Sequence, residues 1–122
     1  MEKINSLTGM TDLIETKADE NVLANKVFQT EKILKEIFTN YAMSEIRTPV
    51  LENTNLFKRS VGDTSDIVNK ELYTFSDKND KSITLRPEGT ASVMRSIIEK
   101  RLDGETHKLW YLGPMWRYER PQ

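Results

Sequence analysis

Residues 40–52 read NYAMSEIRTPVLE, and they predict the point where a long helix gives way to a strand. Upstream of this stretch, apolar side chains recur at roughly helical spacing, with Lys and Gln between them. The pattern predicts a helix from near Asp19, a candidate N-cap, to about Asn40. Residues 45–51 are typical of a strand interrupted by Pro49, because proline lacks the N–H that a strand ladder requires. The apolar face of the helix comprises Leu23, Val27, Leu34, Ile37, Phe38 and Tyr41.

The remaining residues predict a hairpin and a second helix. A short helix is expected around Phe57, followed by strands at 72–75 and 83–85 on either side of a turn rich in Asp and Asn. Pro87 is expected to open the second helix, which Asp103 and Gly104 would end. Its buried stripe would be Ala91, Met94, Ile97, Ile98 and Leu102, and a final aromatic strand would cover residues 109–118. This order predicts an α+β fold, with helices on one side of an antiparallel sheet.

The composition favours one soluble globular domain. The chain has 122 residues, of which 37% are hydrophobic and 30% charged, and this balance is typical of a folded rather than a disordered chain. Apolar runs fall well short of the ~20 residues that span a membrane. The first residues lack the basic-then-apolar layout of a secretory signal. These features predict a cytoplasmic protein that has no membrane partner.

The residue types also limit the available chemistry. The absence of cysteine excludes disulfides and cysteine-bound metals, and the single histidine, His107, argues against a histidine metal site, so no metal site is predicted. The formal net charge of −1 gives no support for RNA binding by this segment alone, since dedicated nucleic-acid modules are usually basic. The sequence contains neither a glycine-rich phosphate loop nor a nucleophile elbow.

Two stretches carry candidate site residues. On the predicted last strand, Arg117 and Glu119 share one face because side chains alternate along a strand. They form either an ion pair on a solvated face or a nucleotide site, in which the arginine grips a phosphate. Before the second helix, Glu88 and Thr90 either cap the helix N-terminus or hold a substrate ammonium group.

Taken together, these stretches resemble one family. Residues 40–52, with Pro49, resemble motif 1 of the class II aminoacyl-tRNA synthetases. Residues 109–122 resemble the first arm of motif 2. Further stretches at 56–62, 64–68, 71–75 and 85–90 resemble histidyl-tRNA synthetase specifically.

The resemblance implies a histidine–tRNA ligase, which activates histidine with ATP to histidyl-adenylate and transfers it to tRNA(His). It implies that Arg117 is catalytic and binds both the ATP α-phosphate and the histidine carboxylate. Glu119 would lie near the adenine amino group, and Glu88 and Thr90 would receive the histidine α-amino group. Magnesium is expected with the nucleotide. A homodimer is implied as well, with an interface formed by Pro49 and by the helix around Val27, Leu34 and Phe38.

The chain departs from the family pattern in two ways. Ala42 stands where the family usually has glycine, which we expect to be a mild change. The sequence also stops inside motif 2, so residues 1–122 are interpreted as a truncated N-terminal part of the catalytic domain, without motif 3 or the anticodon-binding domain. We therefore expect little or no aminoacylation by these residues alone. The alternatives are a synthetase-like regulatory subunit of ATP phosphoribosyltransferase and a non-catalytic dimerisation module.

Overall fold

A computed structural model describes residues 2–16, 22–62 and 70–119. The chain divides into two compact units, Met1–Met43 and Ser44–Arg120. The first unit contains helix α1 (Val22–Asn40), which ends where the sequence predicts, while the candidate cap Asp19 lies outside the described residues. No helix in the described part of the chain is long and apolar enough to cross a membrane.

Helix α1 ends in a left-handed turn. The Met43 N–H donates to the Phe38 carbonyl at 2.9 Å, and the Ala42 N–H donates to the Thr39 carbonyl at 3.0 Å. Ala42 has a φ of 53°, so it occupies the position after the helix where glycine is usual. An L-residue with a Cβ costs roughly 1–2 kcal/mol in this conformation. The expected mild change at Ala42 therefore carries a definite local strain.

The apolar face of α1 is present but largely open within its unit. Ala24 is the only buried residue in the helix. Leu23 is 66% exposed and Tyr41 is 71% exposed, whereas Val27, Leu34 and Phe38 are half-buried. The predicted helical period is thus correct, and the face that it defines remains accessible to a further surface.

The second unit is built on a three-stranded antiparallel sheet. Its strand order is β2 (Leu51–Asn53), β4 (Ser82–Leu85) and β3 (Thr74–Ser76). The predicted hairpin between β3 and β4 is confirmed, since the Asp77 carboxylate accepts the backbone N–H groups of Asn79 at 2.8 Å and Lys81 at 2.9 Å. The α+β fold with an antiparallel sheet is therefore confirmed.

Two strand predictions are wrong in extent. The strand predicted over 45–51 is divided into β1 (Ser44–Glu45) and β2, with Pro49 in the irregular stretch between them. The predicted final strand, 109–118, is limited to β5 (Leu109–Trp110), which pairs with β1 in a parallel manner. Gly113 and Pro114 follow β5, and a proline has no N–H to extend the ladder.

Two helices complete the second unit. Helix α2 (Thr54–Val61) includes the predicted Phe57 and is capped by the Asn53 side chain, which accepts the Asn55 N–H at 3.0 Å. Helix α3 (Thr90–Glu99) begins three residues after Pro87 and ends before the predicted Asp103. Its end is set by Arg101, which has a φ of 55°, a device that the sequence pattern did not predict.

The buried face of α3 also differs from the prediction. Ala91, Ser92 and Ser96 are buried, whereas Met94 is 52% exposed and Ile98 is 61% exposed. Small residues take the buried positions, where they allow α3 to pack closely against its neighbours, chiefly α2. The larger apolar side chains consequently form an open surface.

The centre of the second unit is a small mixed core. Phe57 and Thr84 are fully buried, and Trp110 is 9% exposed. The Thr84 hydroxyl donates to the Thr54 hydroxyl at 2.8 Å and lies 3.1 Å from the Thr74 hydroxyl. The buried Thr54 and Thr84 hydroxyls are thus paired, which avoids the cost of leaving them without partners, whereas the buried Ser92 hydroxyl has no partner among the described residues.

Candidate active site

The first wall of the candidate site is the junction between β4 and α3, residues 86–90. Glu88 precedes the helix and caps it with both oxygens, since Oε2 accepts the Thr90 N–H at 2.6 Å and Oε1 accepts the Ala91 N–H at 2.9 Å. The capping interpretation of Glu88 is therefore realised in the structure. A carboxylate has about four lone-pair sites, so two remain for another donor.

The junction depends on a glycine. A Cβ at Gly89 would overlap the ring of Tyr111, with Cζ at 2.7 Å. The Tyr111 hydroxyl lies 3.2 Å from the Thr90 hydroxyl. Gly89 therefore lets the tyrosine ring lie against the junction and reach Thr90.

The second wall is the aromatic segment, residues 109–119. Beyond β5, two of its backbone N–H groups are bound: the Trp116 N–H donates to the Arg86 carbonyl at 3.0 Å, and the Tyr118 N–H donates to the Glu71 carbonyl at 2.8 Å. The Tyr118 ring also packs edge-on against Tyr73, with ring centroids 5.8 Å apart. These contacts set the position of Arg117 between Trp116 and Tyr118.

Arg117 and Glu119 lie together, as their predicted shared face requires. Arg117 Nη1 is 3.5 Å from Glu119 Oε1, and the two side chains are 44% and 45% exposed. Arg117 Nε donates to the Pro87 carbonyl at 3.0 Å. One guanidinium edge is thus fixed to the junction, and further N–H donors are left for a ligand.

The two walls enclose an open cleft of about 500 Å³. Its lining brings together three of the four predicted ligand-binding residues. The fourth, Thr90, contacts the lining residue Tyr111 and, like Glu88, lines a larger cavity beside α3. A guanidinium and two carboxylates face a space large enough for part of a nucleotide. The lining residues are Pro87, Glu88, Gly89, Tyr111, Met115, Arg117 and Glu119.

Sequence reasoning missed Arg86 and Tyr111 as site residues. Arg86 is 6% exposed and joins the junction to the aromatic segment, because its Nε donates to the Pro114 carbonyl at 3.2 Å. Tyr111 was predicted only as part of the final aromatic strand. The one local signal was Gly89, because a glycine beside a candidate site residue indicates a close approach.

A second, larger cavity of about 1050 Å³ lies beside α2 and α3. Leu56, Met94 and Ile98 give it an apolar lining, and Arg59 and Arg95 lie at it too. The Arg95 guanidinium binds the buried Glu52 carboxylate at 2.8 Å. The hydrogen bonds that Arg95 donates to Glu52, and the negative charges of Glu52 and Glu99, raise the pKa of Arg95. This arginine is therefore committed to a structural ion pair.

Comparison with known proteins decides the family. A sequence model described as histidyl-tRNA synthetase matches residues 19–122. The chain belongs to the histidyl-tRNA synthetase family.

Curated relatives in this family are histidine–tRNA ligases. The chain is 56% identical to the enzyme of Lacticaseibacillus casei over 98 residues, which are 77% of this chain and 23% of that enzyme. The chain thus spans about a quarter of the length of the curated relatives that it matches.

Solved histidyl-tRNA synthetase structures share the fold. The apo Staphylococcus aureus histidyl-tRNA synthetase superimposes with a TM-score of 0.73 at 41% identity, over 95% of this chain and 30% of that one. A Bacillus halodurans protein described as an ATP phosphoribosyltransferase regulatory subunit/histidyl-tRNA synthetase superimposes with a TM-score of 0.64 at 22% identity, over 95% and 28% of the two chains. This second likeness shows the fold alone.

The other described residues that the sequence singled out for a site do not line this cleft. The synthetase-like stretch at 64–68 lies outside the described residues, as do Arg120 and the two residues after it. Pro49 is exposed in the connection between β1 and β2. Among the described residues, no group of three or more His, Cys, Asp or Glu side chains could hold a metal ion.

Proposed function

We propose that this chain supplies the phosphate- and amino-group-binding part of a histidine–tRNA ligase. The observation that carries the proposal is that Arg117 and Glu88 line one cleft in a chain of the histidyl-tRNA synthetase family. The proposed reaction joins histidine to ATP and then passes the histidyl group to tRNA(His). The cleft in these residues would bind the groups on either side of the bond that forms.

Arg117 is the proposed catalytic residue. Its Nε is held by Pro87, so the guanidinium is positioned before the ligand arrives. Planar guanidinium groups bind phosphate and carboxylate oxygens through paired hydrogen bonds. We assign it to the ATP α-phosphate and the histidine carboxylate, where it would stabilise the charge that develops during phosphoryl transfer.

Glu88 and Thr90 are the proposed acceptors for the histidine α-amino group. The two backbone N–H groups that Glu88 accepts hold its carboxylate in one orientation. Its free lone pairs and the Thr90 hydroxyl then offer acceptors to an ammonium group. Binding the amino group at the junction and the carboxylate at Arg117 would orient histidine across the cleft.

ATP is the proposed second substrate, with its adenine amino group near Glu119. Magnesium would accompany the nucleotide phosphates, since Mg²⁺ is usually bound by substrate phosphates and one or two carboxylates. The cleft offers two carboxylates, of which Glu88 already accepts two N–H groups. Bound magnesium would neutralise part of the phosphate charge.

In the first step, a histidine carboxylate oxygen forms a bond to the α-phosphorus while the bond from that phosphorus to the pyrophosphate oxygen breaks. In the second step, a terminal ribose hydroxyl oxygen of the tRNA forms a bond to the histidyl carbonyl carbon and its proton passes to solvent, while the bond from that carbon to the phosphate oxygen breaks and AMP leaves. The nucleophile in each step belongs to a substrate. Orientation and charge stabilisation by the protein could therefore supply most of the catalysis.

A homodimer is the proposed assembly. We assign the apolar side of α1 around Val27, Leu34 and Phe38 to the interface, because Leu23 and Ile37 on the same helix are exposed. Pro49 is exposed in the second unit, and we assign it to contacts with the partner as well. Sedimentation equilibrium should find a dimer that Leu34→Lys converts to a monomer, and a wild-type chain that stays monomeric at high concentration would rule this interface out.

A chimera tests the proposed activity. This chain would replace the matching residues of the Lacticaseibacillus casei ligase, and transfer of labelled histidine to tRNA would be measured for the chimera and for the 122 residues alone. We expect charging by the chimera and little or none by the isolated chain. A folded chimera that binds tRNA yet transfers no histidine would contradict the proposal.

A further inference from the structure

Arg86 is the most constrained polar side chain of the junction. It is 6% exposed. Its Nη1 donates to both the carbonyl and the hydroxyl of Thr48, at 3.2 and 3.0 Å, and its Nε donates to the Pro114 carbonyl. A single guanidinium therefore joins the stretch before β2 to the aromatic segment.

The Arg86 backbone reinforces the same connection. Its N–H donates to the Val50 carbonyl at 3.0 Å, and its carbonyl accepts the Trp116 N–H at 3.0 Å. Gly113 makes room for the side chain, since a Cβ there would lie 2.6 Å from Arg86 Nη2. Arg86 thus holds the aromatic segment at Pro114 and at Trp116, immediately before Arg117.

The next residue along the junction completes the path to the cleft. The Pro87 carbonyl accepts Arg117 Nε at 3.0 Å, and the Pro87 side chain is fully buried. Movement of Arg86 would therefore displace both the segment that carries Arg117 and the carbonyl that orients it. The contact is indirect, because Arg86 is not among the residues that line the cleft.

A buried arginine is a poor choice if stability alone is required. Its side-chain acceptors here are carbonyl and hydroxyl oxygens, and removing a charge from water is costly even when its hydrogen bonds are satisfied. Well-packed apolar residues often stabilise such sites equally well. The geometry instead favours a role that depends on the fixed directions of a planar group with several donors.

We propose that Arg86 is a positioning residue, which fixes the Arg117 guanidinium in the cleft by clamping the aromatic segment to the junction. The clamp is a property of this chain. Its effect on catalysis rests on the proposed function.

The clamp is tested by hydrogen exchange in the 122-residue chain, measured by nitrogen-15 NMR at the Trp116 amide and the Arg117 Nε–H. In Arg86→Met, we expect both protons to exchange about tenfold faster or more, while the Thr84 amide keeps its wild-type rate, as local opening requires. Arg95→Met is the matched control, because the Arg95 guanidinium also donates three side-chain hydrogen bonds. It should leave the ratio of the Trp116 rate to the Thr84 rate unchanged.

Either of two results would overturn the clamp. Equal acceleration at Trp116 and Thr84 would show that Arg86 acts only on global stability, and unchanged exchange at Trp116 and Arg117 would show that it holds nothing. Thr48→Val, which removes one acceptor of the clamp, decides the matter if Arg86→Met does not fold. It should accelerate the same two protons by a few-fold.

The catalytic consequence is measured separately in the chimera. We expect Arg86→Met to lower kcat for histidine-dependent pyrophosphate exchange by about tenfold or more, and Arg86→Lys to restore only part of it, because an ammonium cannot reproduce the fork of donors. Full activity in a variant whose Trp116 proton exchanges faster would refute the positioning role. An inactive wild-type chimera would refute the proposed function. The clamp itself would still be tested by the hydrogen-exchange measurements.

Discussion

The two walls of the cleft are held in different ways. The end of the junction that leads into α3 is stabilised by contacts within a few residues, chiefly the Glu88 cap on Thr90 and Ala91. The aromatic segment is held by residues far away in sequence, at Arg86 and Glu71. One wall is therefore organised by its own sequence, and the other depends on the rest of the sheet unit.

Because of this difference, mutations should affect the two groups of proposed ligand-binding residues in different ways. The orientation of Glu88 is set by the first N–H groups of α3, those of Thr90 and Ala91. Arg117 is correctly placed only if the long-range contacts form. Changes in the junction should consequently alter local stability, whereas changes between the walls should alter the position of Arg117.

Gly89→Ala should have the largest effect, because it acts on both walls at once. The new methyl group would overlap the Tyr111 ring, and relief of such overpacking typically costs about 1–3 kcal/mol. A displacement of about 1 Å in the cleft is enough to lower activity roughly 100-fold. Urea unfolding of the chain and pyrophosphate exchange by the chimera measure the two effects.

The matched control is Gly104→Ala, since a Cβ there meets nothing within 4 Å. It should change the free energy of unfolding by no more than about 0.5 kcal/mol. Equal behaviour of the two variants would mean that the walls do not touch as described.

Glu88→Ala tests the local wall. Loss of a side-chain cap typically costs about 1 kcal/mol, and the two N–H groups at the start of α3 would lose their acceptor. Urea unfolding should show this loss, while Glu105→Ala at an exposed position should be close to neutral. A neutral Glu88→Ala would indicate that water replaces the cap without cost.

Ala42→Gly gives a benchmark for a purely local effect in the unit that does not contain the cleft. Glycine relieves the strain of a φ of 53°, although it gives the unfolded chain more freedom, and the net gain should be about 0.5–1 kcal/mol. Thermal unfolding measures it. Ala91→Gly, within right-handed helix α3, should instead destabilise the chain by about 1 kcal/mol, and a loss of stability in both variants would contradict the left-handed assignment.

Tyr111→Phe should have the smallest effect. It removes the hydroxyl that lies 3.2 Å from Thr90 but keeps the ring against Gly89. At a partly exposed site, the lost hydrogen bond is worth about 0.5 kcal/mol. Stability should change little, whereas the KM for histidine should rise if the Thr90 hydroxyl needs this orientation. Tyr118→Phe, on the same segment, should leave that KM unchanged.

The same contrast explains which parts of the fold could be predicted from the sequence. The turn at Asp77 and the end of α1 follow from residues close in sequence, and both predictions are confirmed. The strand predicted over 109–118 was wrong because pairing is a long-range property. Within this range, only Leu109 and Trp110 pair with another strand, the distant β1.

The junction shows where prediction from local sequence fails. Pro87 predicted a helix start, but α3 begins three residues later, at Thr90. The Pro87 side chain is instead buried, and its carbonyl binds Arg117. Arg86 was not singled out because nothing near it in the sequence reveals Thr48 or Pro114 as partners. Arg117 and Glu88 were found because their family pattern is local.

The most direct test of the account compares two arginines at two cavities. Histidine-dependent pyrophosphate exchange would be measured in the chimera with Arg117→Ala, at the smaller cleft, and with Arg59→Ala, at the larger apolar cavity. We predict a loss of about 100-fold or more for Arg117→Ala, as for removal of a group that stabilises transition-state charge, and near wild-type exchange for Arg59→Ala. The reverse result would place the chemistry in the larger cavity and contradict the account.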